Sequence, residues 1–132
     1  MTDSLTAEQT RRLADALEAR RADLRRDLKT ALDGSEDDRV VGLRRRLEEN
    51  DDWGVADGVA ELDIAEVRHA LTELTEVDAA LARVRDGSYG DCIDCGEPIA
   101  PARLSAYPTA VRCIECQEAY EMRRRGPAAT AR

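Results

Sequence analysis

Apolar positions in the first quarter of the chain fall on a helical period. Leu13, Leu17, Leu24, Leu28 and Leu32 form one stripe, while Arg11, Arg12, Arg20, Arg21, Arg25, Arg26 and several acids occupy the other faces. That pattern predicts an amphipathic helix. Thr6 with Gln9 three residues later has the form of a capping box and marks the start; Gly34-Ser35 ends the helix near Asp33. Val40, Leu43 and Leu47 then predict a short second helix or an extension of the first, broken at Asn50-Asp51-Asp52-Trp53-Gly54. From about Gly58 a long helix resumes. Val67, Leu74 and Leu81 share one heptad position, Ala70, Val77 and Val84 another, and Gly87 suits the C-terminal cap. Two helices of some 27 and 29 residues would each be roughly 40 Å long. Each has only one narrow apolar stripe, so antiparallel pairing is the economical way to bury both.

Proline sharpens the division of the chain. None occurs before Pro98, and all four fall in the last 35 residues. The expected fold is therefore mainly α: a long antiparallel helical hairpin over 1–86, with an acidic tip or turn region at about 34–57. A small head with a short C-terminal helix follows over 87–125, then a disordered tail over 126–132. Composition agrees. Aromatics make up 3% of the chain, with no Phe, and charged residues 36%, which suits long amphipathic helices better than a thick core. Apolar runs are too short to span a membrane, and the first residues lack the basic and apolar stretches of a secretory signal, so a cytoplasmic protein is expected. A net charge of −8 argues against direct, sequence-specific binding to duplex DNA.

The chemistry lies in the head. Cys92-Ile93-Asp94-Cys95 and Cys113-Ile114-Glu115-Cys116 are two C-x2-C pairs separated by seventeen residues. Two intervening residues let one turn present both sulfurs to a single ion, and two such knuckles complete a tetrahedron. Gly90 and Gly96 loosen the backbone beside the first knuckle. One structural Zn2+ held by Cys92, Cys95, Cys113 and Cys116 is expected, although spacing alone does not choose between zinc and iron. Two disulfides or a redox pair are the competing readings, weakened by the absence of an export signal. Four thiolates leave no open coordination position, and the chain shows no nucleophile–base pair or phosphate loop, so no enzymatic activity is expected.

With these residues in view, the chain resembles a known family. Asp86-Gly87-Ser88-Tyr89-Gly90-Asp91-Cys92, Cys95-Gly96-Glu97-Pro98-Ile99, Arg103-Leu104, Pro108-Thr109-Ala110 and Cys113-Ile114-Glu115-Cys116 resemble the signature of the DksA/TraR C4 zinc-finger transcription regulators. The resemblance implies a zinc head and a coiled coil that enters the secondary channel of bacterial RNA polymerase, where acids at the coil tip modulate initiation. An ungapped count from Cys92 sets the family's Asp-x-x-Asp-x-Ala tip on Glu49-x-x-Asp52-x-Gly54, and with a shift of register Asp51 or Asp57 takes either role, so Glu49, Asp51, Asp52 and Asp57 are the candidate tip acids. An acidic run beside a helix start also suits a solvated face. Trp53 lies in the same turn, either as local core or as a partner contact. Some family members answer guanosine tetraphosphate through basic residues. The same count puts His69, Glu76, Tyr107 and Gln117 there, none a fixed cation, which argues against an alarmone response. His69 reads as a surface or boundary residue, and Arg44-Arg45-Arg46 and Arg123-Arg124-Arg125 as solvated helix faces or contact sites. A zinc-dependent scaffold that binds another helical partner, or a thiol redox sensor, is the alternative function.

Overall fold

The computed structural model describes residues 4–34, 36–49 and 65–130. Among them are five helices: α1 (Ala7–Leu32), α2 (Asp38–Glu49), α3 (Ala65–Asp86), α4 (Pro101–Ala106) and α5 (Ile114–Thr130). The chain divides into two compact units, Ala16–Ala79 and Met1–Asp15 with Ala80–Arg132.

The unit Ala16–Ala79 is built on the leucine stripe. Leu17, Leu24, Leu28 and Leu32 of α1 are buried, with Leu28 and Leu32 fully so, against Val67, Leu71, Leu74 and Val77 of α3. Each buried leucine contributes about 1.5–3 kcal/mol relative to exposure. The two helices run antiparallel: Arg20 of α1 pairs with Glu73, while Leu28 and Ala31 further along α1 line a cleft with Glu66 near the start of α3. Ion pairs flank the seam. Arg20 grips both carboxylate oxygens of Glu73, with Nη2–Oε1 at 2.7 Å, and Arg21 Nε lies 2.7 Å from Asp78 Oδ1. The second helix is separate and does not extend the first. Gly34 takes φ +83°, and α2 then buries Val40 and Leu43, while Arg44 reaches Asp33 at 3.4 Å.

In α3 the buried set differs from the strict heptad. Ala70 and Val84, assigned to the seam by the repeat, are only half-buried, and Leu71 and Ala80 are buried instead. The step of four from Val67 to Leu71 suits a helix of 3.6 residues per turn, and it seats leucine where the 3.5 repeat would seat alanine. Residues 58–64, where the sequence begins this helix, lie outside the described part of the chain.

The other unit joins the start of α1, the end of α3 and the head. The capping box forms as expected: Gln9 N–H donates to Thr6 Oγ1 at 3.0 Å, and Thr6 N–H donates to Gln9 Oε1 at 2.8 Å. At the end of α3, Gly87 has φ +85°, and Ser88 N–H donates to the Arg83 carbonyl at 3.0 Å, the long bond of a Schellman cap. Leu13, Ala80, Leu81, Tyr89, Ile99, Leu104 and Ala110 form the core of this unit. The short α4 has no counterpart in the sequence expectation, although Pro101 in its first turn is a recognised start signal. The last helix begins at Ile114, earlier than the expected start near Cys116, because the Cys113 carbonyl accepts the Gln117 N–H at 2.9 Å. It is described as far as Thr130, within the segment that composition assigns to a tail. No helix among the described residues is long and apolar enough to cross a membrane.

Candidate functional site: a four-cysteine metal centre

The first knuckle is a tight hairpin. Asp91 and Pro98 form an isolated antiparallel bridge, Cys92 N–H donates to the Glu97 carbonyl at 2.9 Å, and Gly96 N–H returns to the Cys92 carbonyl at 3.0 Å. Gly90 and Gly96 have φ of +93° and +77°, so the backbone turns at both ends of the pair. Ile93 N–H donates to the Val111 carbonyl at 2.9 Å and brings the second knuckle alongside the first. Cys113 is the N-cap of α5, and Cys116 lies in its first turn, where the helix dipole favours negative sulfur.

These local structures gather the four sulfurs. The Sγ atoms of Cys92, Cys95, Cys113 and Cys116 all lie within 4.8 Å of one another, and Cys95 and Cys113 are 3.9 Å apart. A tetrahedron with zinc–sulfur bonds of about 2.3 Å has edges of about 3.8 Å, so the donor set fits Zn2+ with little adjustment. Cys92 is buried, Cys113 and Cys116 half-buried, and Cys95 exposed.

The electrostatics of the cluster divide the four thiols, favouring the thiolate at Cys92 and the neutral thiol at Cys95 and Cys116. Burial opposes ionisation of Cys92, yet backbone N–H groups of Cys95, Cys113 and Asp94 favour its thiolate and hold the thiol down at about 6. Cys116 is pushed the other way by the neighbouring thiols, Cys113 first and then Cys92. At Cys95 the Glu97 backbone N–H favours the thiolate, but desolvation and the thiols of Cys92 and Cys113 raise it overall. Sulfurs this close cannot all carry charge without a compensating ion. The site holds one structural zinc, and its four ligands leave no position for water or substrate.

Of the remaining sequence candidates, Tyr107 lines a cavity with Cys95 and Cys113. Asp51, Asp52, Asp57 and Trp53 lie outside the described residues, and of Glu49 only the backbone is described, at the last position of α2. His69 and Glu76 are exposed on α3. Tyr107 follows α4, about half exposed, with the Arg103 guanidinium 5.7 Å from its ring centre. Gln117 is occupied by Glu121, its Nε2 donating at 2.9 Å. Arg123, Arg124 and Arg125 are exposed on α5, and Arg124 lies 5.8 Å from the ring centre of Tyr120. Sequence reasoning missed the link between the knuckles, in which Arg112 Nε donates to Asp94 Oδ2 at 2.8 Å and stands over the Tyr120 ring. The only trace in the sequence is an acid inside one cysteine pair and a base just before the other.

Comparison with known proteins agrees with this geometry. The family model described as the prokaryotic dksA/traR C4-type zinc finger matches residues 87–121. The RNA polymerase-binding transcription factor DksA of Caulobacter vibrioides is 54% identical over 52 residues, 39% of this chain and 37% of that protein. An uncharacterised 8.2 kDa protein of Escherichia phage P2 is 39% identical over 57 residues, 42% of this chain and 77% of its own length. DksA of Escherichia coli K12 is 38% identical over 50 residues, 38% of this chain and 33% of that protein. This chain thus spans about a third of the length of the DksA proteins it matches. Similarity in fold extends further. The structure of transcription factor DksA2 from Pseudomonas aeruginosa superposes with a TM-score of 0.61 at 27% identity, over 91% of this chain and 88% of that one.

Proposed function

Because this chain belongs to the DksA/TraR C4-type zinc-finger family, we propose that it is a non-enzymatic, cytoplasmic regulator that binds bacterial RNA polymerase. Its helical hairpin enters the secondary channel, and acids near the hairpin turn modulate initiation. The observation that carries this reading is the likeness to DksA2 over 91% of the chain, which takes in the helices as well as the cysteine head. The Caulobacter and Escherichia relatives are themselves named as RNA polymerase-binding transcription factors.

The mechanism follows from charge. From Glu48 to Asp63 the chain carries seven acids and no base. Brought near the polymerase active centre, such a cluster acts on the catalytic metal or on mobile elements around it by Coulomb forces, which strengthen in a confined, low-dielectric channel. Asp51 and Asp52 are the acids on which the effect should depend most, with Glu49 and Asp57 beside them. The ungapped count sets His69, Glu76, Tyr107 and Gln117 where some family members carry the basic residues that answer guanosine tetraphosphate, and the lack of a fixed cation there argues against a response to that nucleotide.

The test is binding of the zinc-loaded protein to core RNA polymerase, with and without a protein that occupies the secondary channel. Competitive binding supports the channel reading. The Asp51→Asn/Asp52→Asn variant should then bind but no longer alter transcription from sensitive promoters, and added guanosine tetraphosphate should change neither result. Absence of binding by the folded, zinc-loaded protein would sink the proposal and turn the search to other helical partners.

A further inference from the structure

Three contacts converge on Arg112, the residue immediately before the second cysteine pair. Its Nε donates to Asp94 Oδ2 at 2.8 Å, and Asp94 lies between Cys92 and Cys95. Its guanidinium carbon stands 3.8 Å from the ring centre of Tyr120 on α5. Its carbonyl accepts from Arg103 Nε, on α4, at 3.0 Å. One arginine therefore joins both knuckles and both helices of the head. The Arg112 side chain is 17% exposed and that of Asp94 34%, so the arginine end of the pair is the more sheltered from water and salt.

A divalent ion with four thiolates carries two net negative charges. A carboxylate inside the first knuckle repels that centre, and it is also an oxygen donor that zinc accepts. Arg112 answers both difficulties, since its charge offsets that of Asp94 and its hydrogen bond engages the carboxylate. The flat guanidinium stacks on the Tyr120 ring, which fixes the plane from which it donates. We propose that Arg112 is a positioning residue for the metal centre: it holds the Asp94 carboxylate off the ion and sets the spacing of the two knuckles, keeping the site a closed tetrathiolate that exchanges metal slowly. The inference rests on the zinc assignment and adds to it a residue that touches no metal.

The test uses the full chain loaded with zinc, in wild-type form and as Arg112→Gln, Arg112→Lys, Asp94→Asn and the double variant Asp94→Asn/Arg112→Gln. Two quantities are read: the rate of zinc release to a chromophoric chelator, and the visible ligand-field bands of the cobalt-substituted protein. Arg112→Gln should release zinc about 10–100-fold faster, the range typical of lost outer contacts at metal sites, and shift the cobalt bands. Arg112→Lys should restore only part of the retention, having the charge without the flat fork. The double variant should recover much of the loss, because the orphaned carboxylate is gone. Wild-type release and unshifted bands in Arg112→Gln would overturn the proposal. So would faster release that is equal in every variant with unshifted bands, since that describes a looser head rather than a repositioned ligand set. If Arg112→Gln does not fold in excess zinc, Arg112→Lys decides: it keeps the charge without the flat fork, and wild-type release with unshifted bands there would overturn the idea. Metal analysis of the wild type separates failure of the zinc assignment from failure of this inference.

Discussion

Arg21 Nε lies 2.7 Å from Asp78 Oδ1 across the seam between α1 and α3, with side-chain exposures of 18% and 32%. The neighbouring pair, Arg20 with Glu73, makes two hydrogen bonds but is more open, at 48% and 38%. Solvent screening should therefore rank the inner pair above the outer one. Truncating Arg21 to Ala should cost about 1–2 kcal/mol, whereas Arg20→Ala should cost less than about 1 kcal/mol. Urea unfolding monitored by helical circular dichroism measures both, and equal losses would contradict the ranking.

The same outer pair sets a pH dependence. The hydrogen bond from Arg20, strengthened by its charge, holds the Glu73 carboxyl below its ordinary value of 4.5. Its contribution is then fully present above that value and is lost as pH falls through the depressed one, because the unfolded chain takes up the proton first. Glu73→Gln should lower the melting temperature slightly near neutral pH and leave it unchanged once the medium is more acidic than the folded-state value. A deficit that persists in strong acid would mean the side chain stabilises by packing instead.

Tyr89 gives the opposite sign at the other end of the scale. Its hydroxyl donates to the Pro108 carbonyl at 2.8 Å, and burial pushes the phenol up to about 12 from 10.0, against a smaller opposing pull from Arg83. Between those values the unfolded chain has lost a proton that the folded protein keeps, so stability falls as pH rises through that window. Tyr89→Phe should cost about 1 kcal/mol at neutral pH from the lost hydrogen bond, and its deficit should shrink as the medium becomes alkaline. Parallel melting curves of the two proteins across the alkaline range check the convergence.

At Gly90 two costs can be separated. Its φ is +93°, and a Cβ there would meet Leu5 Cδ1 at 3.0 Å, whereas a Cβ at Gly87, φ +85°, would meet nothing within 4 Å. Gly87→Ala should therefore lose only the backbone term, about 1–2 kcal/mol. Gly90→Ala should lose more, and Leu5→Ala in the same chain should return the steric part. A double variant no better than the simple sum of its two changes would place the whole cost in the backbone.

Metal removal is the largest perturbation open to the head. Structural zinc in small four-ligand sites contributes roughly 10–16 kcal/mol to folding. The unit Met1–Asp15 with Ala80–Arg132 should lose its amide protection on chelation, most of all around Cys92 and Cys113. Hydrogen exchange with and without chelator reads this residue by residue, and protection that survives chelation would show that the leucine and tyrosine core suffices by itself.

Much of this was legible in the sequence because it is local or periodic. The Thr6–Gln9 box, the leucine stripe, the Gly87 cap and the two cysteine pairs all depend on residues a few positions apart. What escaped depends on longer range or on volume. Asp94 and Arg112 are eighteen residues apart, and nothing in their spacing says that a hairpin and a helix start will bring them together. Leu71 replaced Ala70 in the buried stripe because neighbouring side chains fill space by size, which a repeat counted in sevens ignores. The short α4 is a single turn and a half, too brief for apolar periodicity to register, so only Pro101 announced it. The candidate tip acids Asp51, Asp52 and Asp57 stand where the sequence reading left them, outside the described residues.

Cys113 is both a metal ligand and the residue whose carbonyl opens α5. The ion therefore sets the angular phase of that helix, since each later residue is clocked about 100° from the one before, starting from a sulfur fixed in space. Tyr120 comes four residues after Cys116 and so returns to nearly the same side, where Arg112 meets it. One residue inserted between them would swing the ring a quarter-turn away while leaving the tetrathiolate intact. The stretch from Cys113 to Tyr120 is accordingly a gauge of fixed length.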